Sequence, residues 1–452
     1  MARGTFTGGV HPYDGKDLSR HMPIKTVYPR GIVVFPLLQH MGAPAIPCVK
    51  VGDPVLTGQM IAKADGDFSA NIHSSVSGMV VAIRDCETVG EKQEKCIVIS
   101  NDDRFSEIPY PPVRKFGNLT PIAIESAVRG AGVVGMGGAG LPTHIKLSYE
   151  HPDEIDYCIA NCVECEPYLT SDYRRIVENP AKVLNGLRIL LKVFPKARGI
   201  IALDESMQDV YSELRRYTAG DHRIYVKKLE SKFPQGSERQ LIYALTGRTM
   251  NSKMLPSDIG CIVNNVDTLV AVNQAVMLYE PLLTRLITVS GDCIARPRNY
   301  RVRIGMSYAE LIERAGGFSS RPALILDGGT MTGKRITNLN VPITKLSSGI
   351  IALSKDRAAA MKETACSRCG RCVEICPDKL LPITIYNDAL KGDKTSFIKH
   401  HGLECCNCVC CSYICPSKID LADKINNMKR EILANPDEAG DYSRRLSYRE
   451  QN

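Results

Sequence analysis

Ten of the chain's 18 cysteines fall between Cys366 and Cys415, and their spacing reads as a ligand set. Cys366-x-x-Cys369-x-x-Cys372-x-x-x-Cys376-Pro377 forms one run, and Cys405-x-x-Cys408-x-x-Cys411-x-x-x-Cys415-Pro416 repeats it. Three thiolates at this spacing wrap three corners of an iron–sulfur cubane, and the fourth of each run reaches across to the other cubane. On that pattern Cys366, Cys369, Cys372 and Cys415 hold one [4Fe–4S] cluster, and Cys405, Cys408, Cys411 and Cys376 hold a second. A zinc ribbon also uses C-x-x-C pairs. Zinc takes four ligands per site, however, and has no use for a third cysteine at the same spacing with proline behind the fourth. Cys406 and Cys410 are left over. Such clusters pass single electrons, so a two-electron donor requires an organic cofactor elsewhere in the chain.

A second chemical feature is the glycine-rich stretch Gly135-Met-Gly137-Gly138-Ala-Gly140-Leu-Pro142-Thr-His-Ile-Lys146. It contains G-x-G-x-x-G, but a dinucleotide fingerprint needs a strand just before the loop, and a helical pattern precedes this one. An ordinary dinucleotide fold is therefore rejected. What remains is backbone free to close on a phosphate, a proline suited to a helix start and a lysine one turn on; a plain packing loop is the alternative. Next, Asn161-Cys-Val-Glu164-Cys-Glu166-Pro167 follows an apolar strand pattern, at the end where open α/β sheets place ligands. Its C-x-x-C, Cys162 and Cys165, admits a redox disulfide or half a zinc site. No second pair lies nearby, and the carboxylates suit the hydroxyls of a ribityl or ribose. Phe233-Pro-Gln-Gly236-Ser-Glu238 and Asn264-Asn265-Val-Asp267-Thr268 add amide and acid groups suited to a heterocycle edge, although each alone reads as a polar turn.

The elements that must position these groups follow from pattern. At 452 residues and about 100–200 residues per domain, three or four domains are expected. A 44% hydrophobic and 23% charged composition excludes disorder. The net charge of +8 comes without a basic run, which argues against nucleic acid. No secretory apolar region stands at the start, and no ~20-residue apolar stretch occurs, so export and membrane spanning are not expected. In a reducing compartment a dense cysteine group reads as metal ligation.

Short strands punctuated by glycine and proline fill 31–100, around Ile32, Ile61, Val80 and Ile97. Val49 to Gln59 and Ser75 to Val80 resemble biotinyl and lipoyl carriers, which fold as flattened β-barrel sandwiches. Their modified lysine sits at a hairpin tip; here the tip is Asp65-Gly66-Asp67, with Lys63 before it, and the domain reads as unmodified. From Asn118 helix and strand patterns alternate, with helices over 121–129, 180–193 and 206–217 and strands over 156–160, 199–203 and 222–226. A strand-rich stretch over 286–340 holds one helix, 307–315. The cysteine region follows, and then a helix whose Leu421, Ile425, Met428 and Ile432 share one stripe.

Together the segments Gly135 to Lys146, Asn161 to Pro167, Gly236 to Glu238 and Asn264 to Thr268 resemble the flavin site of the NADH-binding subunit of respiratory complex I. Over nearly the whole chain the sequence resembles the RnfC family, a subunit of the membrane-bound Rnf ferredoxin:NAD⁺ oxidoreductases. The resemblance rests on Gly8-Gly9-Val-His11-Pro12, the unmodified barrel sandwich, Met136 to Lys146, Glu164-Cys-Glu-Pro-Tyr-Leu-Thr170, Pro234-Gln-Gly-Ser-Glu238 and the twin cysteine runs. Val163, Ser237 and Asp267 depart from the complex I pattern, where acids stand at the first two and Glu at the third.

The resemblance implies a multidomain α/β architecture. Its parts are an N-terminal extension (1–30), a barrel sandwich (31–112), an FMN- and NADH-binding α/β domain (113–284), a β-grasp SLBB domain (285–345), a helical two-cluster ferredoxin-like domain (355–425) and a tail (426–452). It implies noncovalent FMN, NAD(H) and two [4Fe–4S] clusters. Gly135, Gly137, Gly138, Gly140 and Lys146 would hold the FMN phosphate. Asn161, Glu164, Asn264 and Asn265 would contact the ring or ribityl chain, Thr268 belongs to the same set, and Glu166 and Glu238 would lie near the nicotinamide nucleotide. Hydride would pass between NAD(H) and flavin, and single electrons between flavin and clusters, with no general acid or base. Implied partners are the other membrane and iron–sulfur subunits of the complex and, through them, ferredoxin. The implied location is peripheral, on the cytoplasmic face. A soluble reductase of the microcompartment cobalamin-reductase type and a non-catalytic electron-transfer subunit remain as alternatives.

Overall fold

The computed structural model describes residues 4–356 and 362–435; the expected tail beyond 435 lies outside the described residues. Ile32–Pro36, Pro54–Val55, Gly78–Thr88 and Lys92–Asn101 form one antiparallel sheet, and Ile46–Pro47, Met60–Lys63 and Ile72–His73 a second. Alternation sets the faces: Val33 and Phe35 are fully buried while Ile32 is exposed. Val33, Phe35, Ile61, Ile97 and Ile99 fill the space between the sheets. The carrier-like tip is fastened down. The Asp67 carboxylate pairs with Arg129, and the Asp67 carbonyl lies 3.1 Å from His144 Nε2. A tip held this way docks one domain on the next and does not swing.

The next domain starts with α1 (Pro121–Gly130), where Thr120 Oγ1 accepts from Ala123 N–H at 3.2 Å and Pro121 takes the first helical position. The glycine stretch follows, then α2 (Thr143–Leu147). Tyr157–Cys162, Arg198–Asp204, Ile224–Leu229 and Cys261–Asn265 form a four-stranded parallel sheet in the spatial order third, second, first, fourth. Runs such as Ile200–Leu203 are buried throughout because helices cover both faces. Those helices are α3 (Ser171–Glu178), α4 (Pro180–Val193), α5 (Gln208–Tyr217), α6 (Glu238–Thr246) and α7 (Val266–Asn273). On α4, Gly186 admits the backbone of α7: a Cβ there would lie 2.2 Å from the Leu269 carbonyl oxygen. Strand order reverses between the Tyr157 and Cys261 strands, which opens a crevice at their carboxyl ends.

The third sheet draws on residues outside the expected 285–345. Thr284–Ser290, Arg298–Arg303, Leu324–Asp327 and Lys334–Arg335 are joined by Gly349–Leu353, which lies between the Thr284 and Leu324 strands, and by Lys25–Val27 on the edge. Ile350, Ile351 and Ala352 are fully buried, which fits an interior strand, and the N-terminal lead shields an edge that would otherwise be open. The helix α8 (Tyr308–Arg314) is capped by Ser307, which accepts from Glu310 N–H. The cysteine region holds α9 (Arg371–Glu374), α10 (Pro382–Lys391), α11 (Lys394–Lys399), α12 (Cys410–Ile414) and α13 (Leu421–Leu433). The stripe Leu421, Ile425, Met428 and Ile432 is buried against α10 and its neighbours, at about 1.5–3 kcal/mol per side chain. Among the described residues no helix is long and apolar enough to cross a membrane.

Candidate functional site

Four segments far apart in the chain meet at the carboxyl ends of the parallel strands. The glycine loop lies over the start of α7: Thr268 Oγ1, fully buried, accepts from Met136 N–H at 3.0 Å. A Cβ on Gly137 would lie 2.7 Å from Asn265 Cβ, so only glycine permits this approach. Gly140 has φ +78°, a left-handed conformation, and a side chain there would meet Leu346. Gly135 closes the loop by donating to the Leu141 carbonyl. Gly138 faces open space, with no atom within 4 Å of a would-be Cβ. Lys146, on α2, donates from Nζ to the Val263 carbonyl at 2.6 Å.

Asn161 and Asn265 are register neighbours on adjacent strands. Asn161 Nδ2 donates to the Gly236 carbonyl at 2.9 Å and its Oδ1 accepts from Val163 N–H, which brings the Pro-Gln-Gly turn against the Glu164 segment. Asn265 Oδ1 caps α7 through Asp267 N–H at 2.8 Å, and its Nδ2 donates to Asp172 at 2.6 Å. Glu164 caps α3, accepting from Ser171 Oγ, Asp172 N–H and Tyr173 N–H at 2.9–3.3 Å, a favoured place for a carboxylate at a helix N-terminus. Glu166 accepts from Met331 N–H at 3.1 Å and Thr332 N–H at 3.0 Å, in a turn of the β-grasp domain. Burial raises its pKa, opposed by those bonds. Glu238 stands half-buried in the first turn of α6.

Most of the expected contact residues therefore hold one another in place. Two side chains do not. Asn264 is 2% exposed and Gln235 fully buried, and both amide atoms of each lack a hydrogen-bond partner. An unpaired buried amide costs about 1–3 kcal/mol, so such groups persist where a ligand satisfies them. The open Gly138 and the Asn264 amide fit a phosphate and a heterocycle edge at one crevice.

Sequence reasoning missed three residues here. Lys16, in the lead, donates from Nζ to the carbonyls of Glu164 (2.7 Å), Glu166 (3.1 Å) and Leu169 (2.6 Å), and so gathers the acidic segment. Asp172 is pushed up to about 8 by burial and then by the Glu164 and Asp267 carboxylates. Gln235 stood unassigned within Pro234-Gln-Gly236. Asp267 also takes a different part from that of a ligand. Arg175 Nε donates to its Oδ1 at 2.7 Å and Arg285 to its Oδ2, all three side chains being buried. Burial pushes the Asp267 carboxyl up, but the two guanidiniums outweigh it and hold the pKa below the usual range. Arg285 comes from the β-grasp sheet, so this triad fixes that domain beneath the crevice. On the far side Lys345, fully buried, donates to the carbonyls of Asn71 and Gly132 at 2.6 and 2.7 Å and clamps the barrel sandwich to the base of the glycine loop; burial lowers its pKa to about 7.

In the cysteine domain Cys376 lines one cavity together with Cys405, Cys408 and Cys411, a thiol set that fits a cubane with a ligand from the other run. Cys406 and Cys410 line the same cavity. Cys410 is fully buried against Val10 and Phe233, where it works as a small apolar side chain, and the Cys406 N–H donates to Asp378. Cys372 and Cys415 share the domain's core. Thr364 N–H donates to the Ser417 carbonyl and Ser417 Oγ to that of Ala365, which holds the chain before Cys366 next to Cys415. Among the described residues no three Cys, His, Asp or Glu side chains gather round a single point.

The α/β domain and the cysteine domain share an interface. Gly9 N–H donates to the Ile375 carbonyl, and Val10 exchanges two hydrogen bonds with Phe233, so the lead is threaded between them. Arg239 on α6 donates to the Glu404 carbonyl at 2.9 Å, and Gln240 donates to Asp378 at 3.1 Å. Cys165 Sγ, 3.3 Å from the Gly236 nitrogen, packs in the same cluster as Cys408 and Cys410. Cys165 thus carries packing between crevice and cavity, while Cys162 is buried in the core of the α/β domain.

Comparison with known proteins matches this layout. A family model described as the Nuo51 FMN-binding domain matches 128–274, the RnfC barrel sandwich hybrid domain matches 4–104 and an SLBB domain matches 286–334. A component of the proton-translocating ferredoxin:NAD(+) oxidoreductase complex of Clostridium ljungdahlii is 40% identical over 84% of this chain and 83% of its own. The corresponding component of the Na(+)-translocating ferredoxin:NAD(+) oxidoreductase complex of Acetobacterium woodii is 36% identical over 96% and 98%. Among solved structures, an NAD⁺-reducing [NiFe]-hydrogenase in the H₂-reduced state has a similar fold, with TM-score 0.51 at 20% identity over 72% of this chain and 63% of that one.

Proposed function

This chain belongs to the RnfC family of the ion-translocating ferredoxin:NAD(+) oxidoreductase complexes, and on that premise we propose that it is the subunit that reacts with NAD(H). The family favours a part of a larger complex over a soluble cobalamin reductase. When bound, FMN would supply the change between the hydride of NADH and single electrons, and two [4Fe–4S] clusters the onward relay.

The chain's own part is placement. Gly138 leaves backbone open to the phosphate, Gly137 seats the loop on Asn265, and Lys146 would be the nearby cation. Asn264 would supply donor and acceptor to the ring edge, and Glu238, half-buried in the first turn of α6, would lie near the nucleotide. Lys16, Asn161, Glu164, Asn265 and Thr268 position these groups. Cys405, Cys408, Cys411 and Cys376 would hold the cluster beside the flavin domain, and Cys366, Cys369, Cys372 and Cys415 the outer one. Attachment would be through the partner subunits, at the cytoplasmic face.

The observation that carries this reading is the doubly unpaired, buried Asn264 amide, next in the chain to Asn265, against which the glycine loop packs. Acid extraction of the purified protein should release FMN, and NADH should bleach the bound flavin without oxygen; an oxidised spectrum that persists under NADH would favour a non-catalytic role. Asn264→Leu separates ligand from fold. Its FMN-free form should be as stable as the parent or about 1 kcal/mol more so, while FMN binding weakens at least about tenfold, or 1.4 kcal/mol. Unchanged FMN affinity by fluorescence titration would remove Asn264 from the site.

A further inference from the structure

The two cysteine sets stand in unlike surroundings. Cys376, Cys405, Cys408 and Cys411 line an inner cavity whose walls touch the flavin domain through Asp378 and Cys410, with the Glu404 carbonyl bonded to Arg239 beside it. Cys366 and Cys369 are exposed. Arg368 lies between those two cysteines, Arg371 opens α9 directly after them, and Lys418 follows the Cys415-Pro416 turn; all three are exposed. Among the described residues none of the three pairs with an acid. Glu374 is the exposed acid on α9, whereas Asp378 is engaged with Gln240 and Cys406 N–H, and Glu363 accepts from Tyr386. Tyr413, 48% exposed on α12, stands on the helix that packs against α9 and adds an aromatic surface.

Resting on the cluster reading above, we propose that this face, centred on Arg368, Arg371, Lys418 and Tyr413, is the docking surface for a small iron–sulfur protein or domain with carboxylates around its own cluster. Electron transfer needs close approach, and the exposed thiols are those of the outer set. Unpaired cations around them attract an acidic carrier, speed encounter and orient it. Each encounter moves one electron and neither bond nor proton: the outer cluster is oxidised by one electron as the carrier's is reduced, or the reverse, and two such transfers balance one hydride.

The test mixes anaerobically reduced holoprotein with an oxidised acidic two-cluster ferredoxin in a stopped-flow instrument. Arg368→Glu/Arg371→Glu should lower the second-order rate constant about tenfold or more at low salt, and Lys418→Glu less. Added salt should slow the parent toward the variant. Iron content and the reduced-cluster electron paramagnetic resonance signal are read alongside. Unchanged rate and salt dependence with intact clusters would overturn the proposal, as would binding of the parent to anionic vesicles with no charge effect on the rate. If the reversals strip iron, Arg368→Gln/Arg371→Gln carries the same comparison. A parent protein without iron would sink the cluster reading, a result distinct from either.

Discussion

Asp267→Ala should destabilise the protein by about 3–5 kcal/mol, read as a fall in urea midpoint or melting temperature. The reason is the buried triad. With the carboxylate gone, the Arg175 and Arg285 guanidiniums stay buried without a counter-ion, and breaking a buried pair by removing one partner has a cost of that order. Asp267→Asn keeps the shape but not the charge and should lose somewhat less. Replacing all three residues with apolar ones of like volume should recover most of the loss, since a well-packed apolar substitute for a buried ion group is often neutral. FMN retention should fall in the single variant, because Thr268, the next residue, holds the glycine loop through Met136. A melting temperature within a degree of the parent would show that the triad does not tie the domains.

The other large effect lies in the cysteine domain. Cys376→Ala should remove about four of about eight irons and stop electrons from NADH reaching any acceptor beyond the flavin, because the inner set lines the cavity against the flavin domain. Crossed variants test the assignment of ligands. Cys376→Ala with Cys405→Ala should lose no more iron than either alone, and Cys376→Ala with Cys366→Ala should lose nearly all. The opposite pattern, with Cys376 grouped with Cys366, would mean that each run closes its own cluster.

Local pattern carried much of this architecture. Helix α4 occupies the expected 180–193, the stripe from Leu421 to Ile432 is buried as its spacing implies, and the barrel-sandwich strands fall where alternation put them. The glycine loop follows a helix, as its flanking pattern indicated. What pattern did not reveal was pairing over distance. Nothing near Asp267 announces Arg175, 92 residues earlier, and nothing near Lys16 announces the Glu164 carbonyl, 148 residues on. The run Gly349–Leu353 lay beyond the expected strand-rich stretch, and its place inside the third sheet was not legible because it enters out of chain order. Gln235 and Asn264 became distinctive only when every buried amide atom was matched with a partner. An Asn pair in sequence reads alike whether its amides are satisfied or not; here Asn265 is engaged twice and Asn264 not at all.

The lead that passes between the α/β domain and the cysteine domain also bears on how the protein is made. Gly9 and Val10 bond to Ile375 and Phe233, partners that a ribosome adding about 5–20 residues per second delivers tens of seconds later. Most of the lead's partners, the Glu164 segment, Glu230 and Phe233 among them, emerge well before Ile375, so the lead can seat on the flavin domain first. The cysteine domain, made later, then docks on a lead already in place, with the Ile375 carbonyl taking the Gly9 N–H. A substitution at Gly9 or Val10 therefore acts at the joint between the α/β and cysteine domains, and should disturb assembly more than their distance in sequence from the cysteines suggests.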